Sequence, residues 1–287
     1  MLIKDNISSS FYQSTIYSPI SVKGIGLHTG EVSQVNLLPE KENTGIYFVR
    51  KDLSNSSIAA KTDFVIDTNF STTLGFSSRH SIKTIEHLMA SIIMLGISNL
   101  RIEVYGPEIP IMDGSAYNWI EMLKKSRLKS QTSPLTLYTL VRPICINIED
   151  SFILAFPAPR FSISYGINFS QTTIIGNQWF HSNTEDINTF KNLLSSARTF
   201  GLLKNVKQLK QIGLIQGANL RNALVCTQTG WINGPLRFEN EPVKHKTLDI
   251  IGDLALLGSL PAIKILAYKS SHNLHIELAK TIKNIVY

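Results

Sequence analysis

The sequence predicts an α+β protein assembled from two related units. Three observations predict it. Two amphipathic helices, through Lys83 to Leu95 and Glu241 to Leu257, each end at a glycine, Gly96 and Gly258. An apolar strand follows each glycine, through Asn99 to Tyr105 and Ala262 to Tyr268. His87 lies nine positions before its glycine and Asp249 nine before its own, which is the register of a duplication. The alternative is that two unrelated amphipathic helices share a spacing.

Each element has its own signature. A glycine-rich turn, Gly24-Ile-Gly-Leu-His-Thr-Gly30, precedes strands through Val32 to Leu38 and Gly45 to Val49. In the first helix Ile85, Leu88, Met89, Ile92 and Ile93 recur at helical spacing. Lys124 to Pro134 is polar and basic without a period of its own, and reads as a linker. Strands follow at Leu135 to Leu140, Phe152 to Phe156 and Phe161 to Phe169. Pro242 suits the first turn of the second helix. The domains are therefore 1–128, carrying Glu86 and His87, and 135–287, carrying His245, Asp249 and His272.

Composition narrows the function. Of 287 residues, 43% are hydrophobic and 17% charged, which excludes a disordered chain. The net charge of +7 is spread along the chain, with one small cluster at Lys124, Lys125, Arg127 and Lys129. No nucleic-acid-binding pattern accompanies it, so no nucleic-acid partner is expected, and a phosphorylated small molecule suits the charge. Cys145 and Cys226 form no CxxC pair and read as buried small hydrophobes. Met1 to Ser21 lacks the apolar core of a signal peptide, and no apolar run is long enough for a transmembrane segment. A soluble, cytoplasmic monomer is expected.

The chemistry lies in a few side chains. His245 and Asp249 are four apart on a helix and project from one face, a spacing that suits two ligands of one ion. Taken alone, such a pair is as readily a solvated i,i+4 pair. His87 is the candidate third ligand, because Glu86 beside it can take a proton from water. His272 and His28 stand open between exposed loop histidines and groups over a site. Asp253 is either polar surface or a hydrogen-bond partner that orients a histidine. His80, His181 and His275 read as surface.

Longer motifs carry a resemblance: the glycine-rich turn, Asn43-Thr-Gly45, Thr84-Ile-Glu-His-Leu-Met89, Pro107-Glu-Ile-Pro-Ile-Met-Asp-Gly-Ser115, Ala197-Arg-Thr-Phe-Gly201, Leu236-Arg-Phe-Glu239, His245-Lys246, Asp249, Ile251-Gly-Asp-Leu254 and Ala267-Tyr-Lys269. In this order they resemble the UDP-3-O-acyl-N-acetylglucosamine deacetylase family, zinc amidases of bacterial lipid A synthesis. The resemblance implies two related domains, each a sheet layered with helices, with the active site between them. It implies Zn2+ on His87, His245 and Asp249, with Fe2+ as the alternative such ligands accept. It makes Glu86 the general base and His272 the general acid, with Asp253 supporting His272. Thr199 and Lys246 hold substrate and the developing oxyanion, and Phe200 lies by the substrate. The substrate is a UDP-linked acylated amino sugar, which loses acetate to give a free amine.

The segment after Gly201 has two readings. By period, Leu203, Val206, Ile215 and Leu220 belong to an amphipathic helix packed on the core; by resemblance, with Gly217, they line a passage for the acyl chain. Three departures stand out. Ser271 replaces a glycine before His272, Gly217-Ala-Asn-Leu-Arg-Asn222 replaces Gly-Gly-Ser-Leu-Asp-Asn, and Thr73 stands near a position where many members carry cysteine. A different zinc hydrolase and a non-catalytic binding protein are the competing functions. The intact Glu86, His87, His245 and Asp249 set argues against the second.

Overall fold

The computed structural model describes residues 12–53, 55–170, 172–183 and 187–286. Residues 1–11, part of the stretch read above as carrying no leader, lie outside the described residues. Two five-stranded sheets share one strand order. Across the first run Ile20–Ile25, Val32–Pro39, Leu100–Tyr105, Ile46–Arg50 and Ser57–Ala59. Across the second run Ile144–Ile148, Ser151–Pro157, Ile263–Tyr268, Ser162–Phe169 and Gly176–Ser182. In each sheet the last strand in sequence enters at the centre, antiparallel to the second strand and parallel to the third. The spacing repeat in the sequence is thus a repeat of topology. Alternation sets the faces: Val35 and Leu37, Ile102 and Val104, Ile265 and Ala267 are buried while their neighbours along the strand are more open.

The helices are α1 (Glu86–Met94), α2 (Tyr117–Lys125), α3 (Ile187–Phe190), α4 (Leu203–Gln211), α5 (Glu241–Leu254) and α6 (His272–Val286). One π turn, Lys191–Ser195, continues α3. α1 is buried from Glu86 to Ile93, and in α5 only Lys246 escapes burial. Both helices are buried on nearly every side, and they pack against each other. α5 and α6 lie on the second sheet. Both helix–strand junctions turn at left-handed glycines, Gly96 at φ 73° and Gly258 at φ 87°. Gly252 sits where α5 crosses the start of α1: a Cβ there would lie 2.0 Å from the Glu86 carbonyl oxygen.

Three expectations need correction. The polar stretch taken as a linker contains a strand, Leu128–Pro134, paired antiparallel with Tyr12–Ile16. Its side chains are mostly exposed, so backbone pairing forms it and no apolar period announces it. Leu135 to Leu140 forms no strand; its one ladder contact is a bridge from Thr139 to Ala262. Cys226 is buried as expected, but Cys145 is exposed, because it points outward from the edge strand Ile144–Ile148.

The Gly252 contact is with backbone, which no rotamer change relieves. Alanine would gain about 1 kcal/mol of helix propensity, less than the clash costs. Gly252→Ala should therefore lower stability by a net ~2 kcal/mol, as overpacking does. A urea midpoint at or above that of the parent protein would show that the crossing tolerates a side chain.

Candidate metal centre

His87 is the second residue of α1, and His245 and Asp249 lie one turn apart in α5. The helix crossing brings them together. Ligand atoms of all three lie within 4.8 Å of one another. The His87 and His245 rings stand edge to face, with centroids 4.9 Å apart. Their Nε2 atoms are 3.6 and 3.5 Å from Asp249 Oδ1, too far for hydrogen bonds.

Protonation is settled by the surroundings. The Ala197 carbonyl accepts from His245 Nδ1 at 3.0 Å, which leaves Nε2 its lone pair. Burial pushes the His245 imidazole down to about 4, so the ring is neutral, as ligation requires. Asp249 Oδ2 accepts from Lys246 Nζ at 2.8 Å. Against the cost of burial, the Lys246 ammonium helps hold the Asp249 carboxyl well below the usual carboxylate range. Asp249 Oδ1 is buried with no hydrogen-bond partner. An ionised oxygen left unpaired inside a protein is costly unless something cationic meets it, so these donors fit a dication.

A second cluster, Asp253, His272 and His275, also gathers ligand atoms within 4.8 Å. Its atoms are already spent on one another. Asp253 Oδ2 accepts from His272 Nδ1 at 2.8 Å and His275 Nδ1 at 2.7 Å, and Oδ1 from Thr72 Oγ1 at 2.5 Å. The orphaned oxygen marks the first cluster as the one built for an ion.

Of the remaining predicted residues, Glu86, Thr199, Lys246 and His272 share a cleft with this centre. One cleft is lined by Glu86, His87, Thr199, His245, Lys246, Asp249 and His272, together with Leu27, Phe70, Thr84 and Ile111. Burial raises the Glu86 carboxyl, and its Oε2 accepts from the Thr72 amide at 3.1 Å. His272 is not on a loop: it opens α6 and is 5% exposed. Burial opposes its charge, but the Asp253, Glu86 and Asp249 carboxylates outweigh that and raise it to about 9. Ser271 is absent from the residues with left-handed backbone, so the glycine it replaces is not needed for conformation. Asp253 is fully buried, which removes its surface reading. His28 is buried at 3% exposure, not a surface loop residue. Thr199 is held by its amide on the Gly114 carbonyl at 2.7 Å. Phe200 stands 6.4 Å from the His245 ring.

His275 overturns the surface reading: it is 1% exposed. Its i,i+3 spacing from His272 in one helix shows only a shared face, not the buried partners that make it internal. Thr72, which touches Glu86, Asp253 and His272, was also missed, since threonine carries no chemistry visible in a pattern.

The acyl-passage residues lie on an excursion in which Phe200–Leu202 pairs parallel with Leu224–Cys226 across α4. α4 contains no buried residue, so it is not the core helix of the first reading. Leu203 and Leu220 are 47% and 53% exposed, and Val206 and Ile215 half-buried. Gly217 instead presses on the glycine-rich turn, where its Cβ would lie 2.2 Å from the Gly26 carbonyl oxygen. Its amide donates to the Leu27 carbonyl at 3.1 Å.

The chain matches the family described as UDP-3-O-acyl N-acetylglycosamine deacetylase over residues 13–284. A UDP-3-O-acyl-N-acetylglucosamine deacetylase of Nostoc sp. is 45% identical over 94% of this chain and 98% of its own length. One of Synechocystis sp. is 42% identical over 93% and 97%. One of Leptospira biflexa is 35% identical over 96% and 91%.

Replacing His87, His245 or Asp249 by Ala should abolish stoichiometric bound metal, measured by elemental analysis of folded protein. Full metal content in two of the three variants would remove the assignment.

Proposed function

As the chain belongs to the UDP-3-O-acyl-N-acetylglucosamine deacetylase family, we propose that its cleft removes the N-acetyl group from a UDP-linked, 3-O-acylated glucosamine, in lipid A synthesis. The observation that carries the reading is the buried His87, His245 and Asp249 set with Glu86 and His272 on the same cleft wall. Zinc is the ion we assign, with ferrous iron the alternative. When bound, the ion supplies Lewis-acid polarisation of the amide carbonyl and acidifies water.

The side chains then have distinct tasks. Glu86 takes a proton from the attacking water. The Thr199 hydroxyl and Lys246 ammonium donate toward the oxygen on which charge develops, an effect worth on the order of 3 kcal/mol per donor in comparable sites. Lys246 gives one N–H to Asp249 and keeps its side chain 28% exposed, so further donors face the cleft. His272 donates a proton to the leaving nitrogen as the C–N bond breaks. Phe200 flanks the sugar. The products are acetate and the free amine.

We assign residues 1–128 and 135–287 as the domains bearing the two halves of this site. The reading is supported by the two five-stranded sheets, each of which draws its strands from one side of that division. Among the described residues no helix is long and apolar enough to cross a membrane. We take the enzyme to be a cytoplasmic monomer.

Activity should be bell-shaped in pH. Glu86 works ionised, so the acid limb falls as pH drops through its raised carboxyl. His272 works protonated, so activity is lost as pH rises through its raised value of about 9. Glu86→Gln should lower kcat about 10^2-fold or more and remove the acid limb with metal retained. Loss of metal in that variant would make Glu86 a ligand instead.

The uncovered apolar side chains Leu203, Val206, Ile215 and Leu220 support an acyl passage beside the cleft. Each buried methylene contributes about 0.8 kcal/mol, enough to select long chains. Val206→Trp should then raise KM for long-chain substrate far more than for short-chain substrate. Equal effects on both chain lengths would return these residues to ordinary surface.

A further inference from the structure

Behind the catalytic cleft lies a buried polar chain that the reaction above does not use. His275 follows His272 by three residues in α6, so both rings leave the same face of its first turn. Both direct Nδ1 at one oxygen, Asp253 Oδ2. On its other side His275 Nε2 meets Ser270 Oγ at 2.7 Å and Tyr165 Oη at 3.1 Å. Tyr165 Oη also lies 2.8 Å from the Ser270 carbonyl oxygen and 2.8 Å from Ser270 Oγ. Tyr165, Asp253 and His275 are all at most 1% exposed.

The donors can be assigned. The Tyr165 hydroxyl has one hydrogen, and the Ser270 carbonyl, a pure acceptor, takes it. The Ser270 hydroxyl then donates to His275 Nε2. With Nε2 accepting, the His275 hydrogen sits on Nδ1 and is donated to Asp253. Burial pulls the His275 imidazole below its ordinary value, in keeping with a neutral ring carrying one hydrogen. The Ser270 hydroxyl and His275 links both point toward Asp253. Thr72 Oγ1 secures its other oxygen at 2.5 Å.

We propose that His275 is a positioning residue for the reaction, which fixes the Asp253 carboxylate and through it the aim of His272 into the cleft. The inference rests on His272 being the proton donor. Without the His275 donor, Asp253 is held on one side only and His272 loses its fixed angle. The groups facing His272 are Asp253 and Asp249 of α5, Glu86 of α1, His275 of α6 and His28 of the glycine-rich turn.

His275→Leu keeps apolar volume without a donor, while His275→Asn restores an N–H within reach of Asp253. In metal-loaded enzyme, His275→Leu should lower kcat on the order of tenfold, as loss of an orienting partner does, with KM and metal content unchanged. Its alkaline limb should move to higher pH, because a carboxylate freed of one donor binds the His272 proton more strongly. His275→Asn should recover rate and pH profile together. In a His272→Ala background, His275→Leu should cost nothing further, since both act through one group. A His275→Leu loss that persists undiminished in His272→Ala overturns the inference alone, as does a folded His275→Asn enzyme no faster than the leucine variant. An undiminished kcat in His272→Ala sinks the acid assignment itself, and the inference with it.

Discussion

The close crossing of α1 and α5 is the contact on which the rest of the molecule depends. Glu86 and His87 begin one helix, and His245 and Asp249 lie inside the other. Only because Gly252 has no side chain can the Glu86 carbonyl approach that helix so closely. The approach sets the distance between His87 of the first unit and His245 and Asp249 of the second. It also places Glu86, the proposed base, beside them, because Glu86 immediately precedes His87. The glycine-rich turn and Gly114 close the same interface further out, where they meet Gly217 and Thr199. A site shared between two copies of one fold needs a rigid seam, and a buried helix pair supplies one.

Two buried histidines in this site are pushed in opposite directions. Burial pulls His245 down to about 4 despite the Asp249 carboxylate beside it, whereas at His272 burial is outweighed by the Asp253, Glu86 and Asp249 carboxylates, which raise it to about 9. Near neutral pH the first is thereby neutral and the second protonated, which suits the ligand and acid roles proposed for them. Titratable groups driven apart by their surroundings are a signature of divided acid and base roles. Asp253 is central to this division. It is held near 2, where burial is outweighed by His272 and His275, so it stays a carboxylate and anchors both rings.

Much of this was legible in the sequence because it rests on spacing. The i,i+4 pair His245 and Asp249, the two glycine-stopped helices and the equal offsets of His87 and Asp249 all follow from helical geometry. The order of strands in the two sheets was not legible, since alternation sets faces and says nothing of neighbours. The strand Leu128–Pro134 escaped notice because backbone pairing with Tyr12–Ile16 holds it, not burial. His275 and Thr72 escaped for another reason. Their importance comes from partners distant in sequence, Asp253 and Tyr165 for one and Asp253 for the other, and no local pattern reports such contacts.

On the proposed reading one dication binds between the units on His87, His245 and Asp249, leaving Asp253, His272 and His275 hydrogen-bonded to one another. Anomalous diffraction at the zinc edge from zinc-loaded crystals tests this most directly. A single strong peak is expected within bonding distance, about 2.0–2.2 Å, of both Nε2 atoms and of Asp249 Oδ1, the oxygen that otherwise lacks a partner. A peak on the Asp253, His272 and His275 cluster with none between His87 and Asp249 would contradict it.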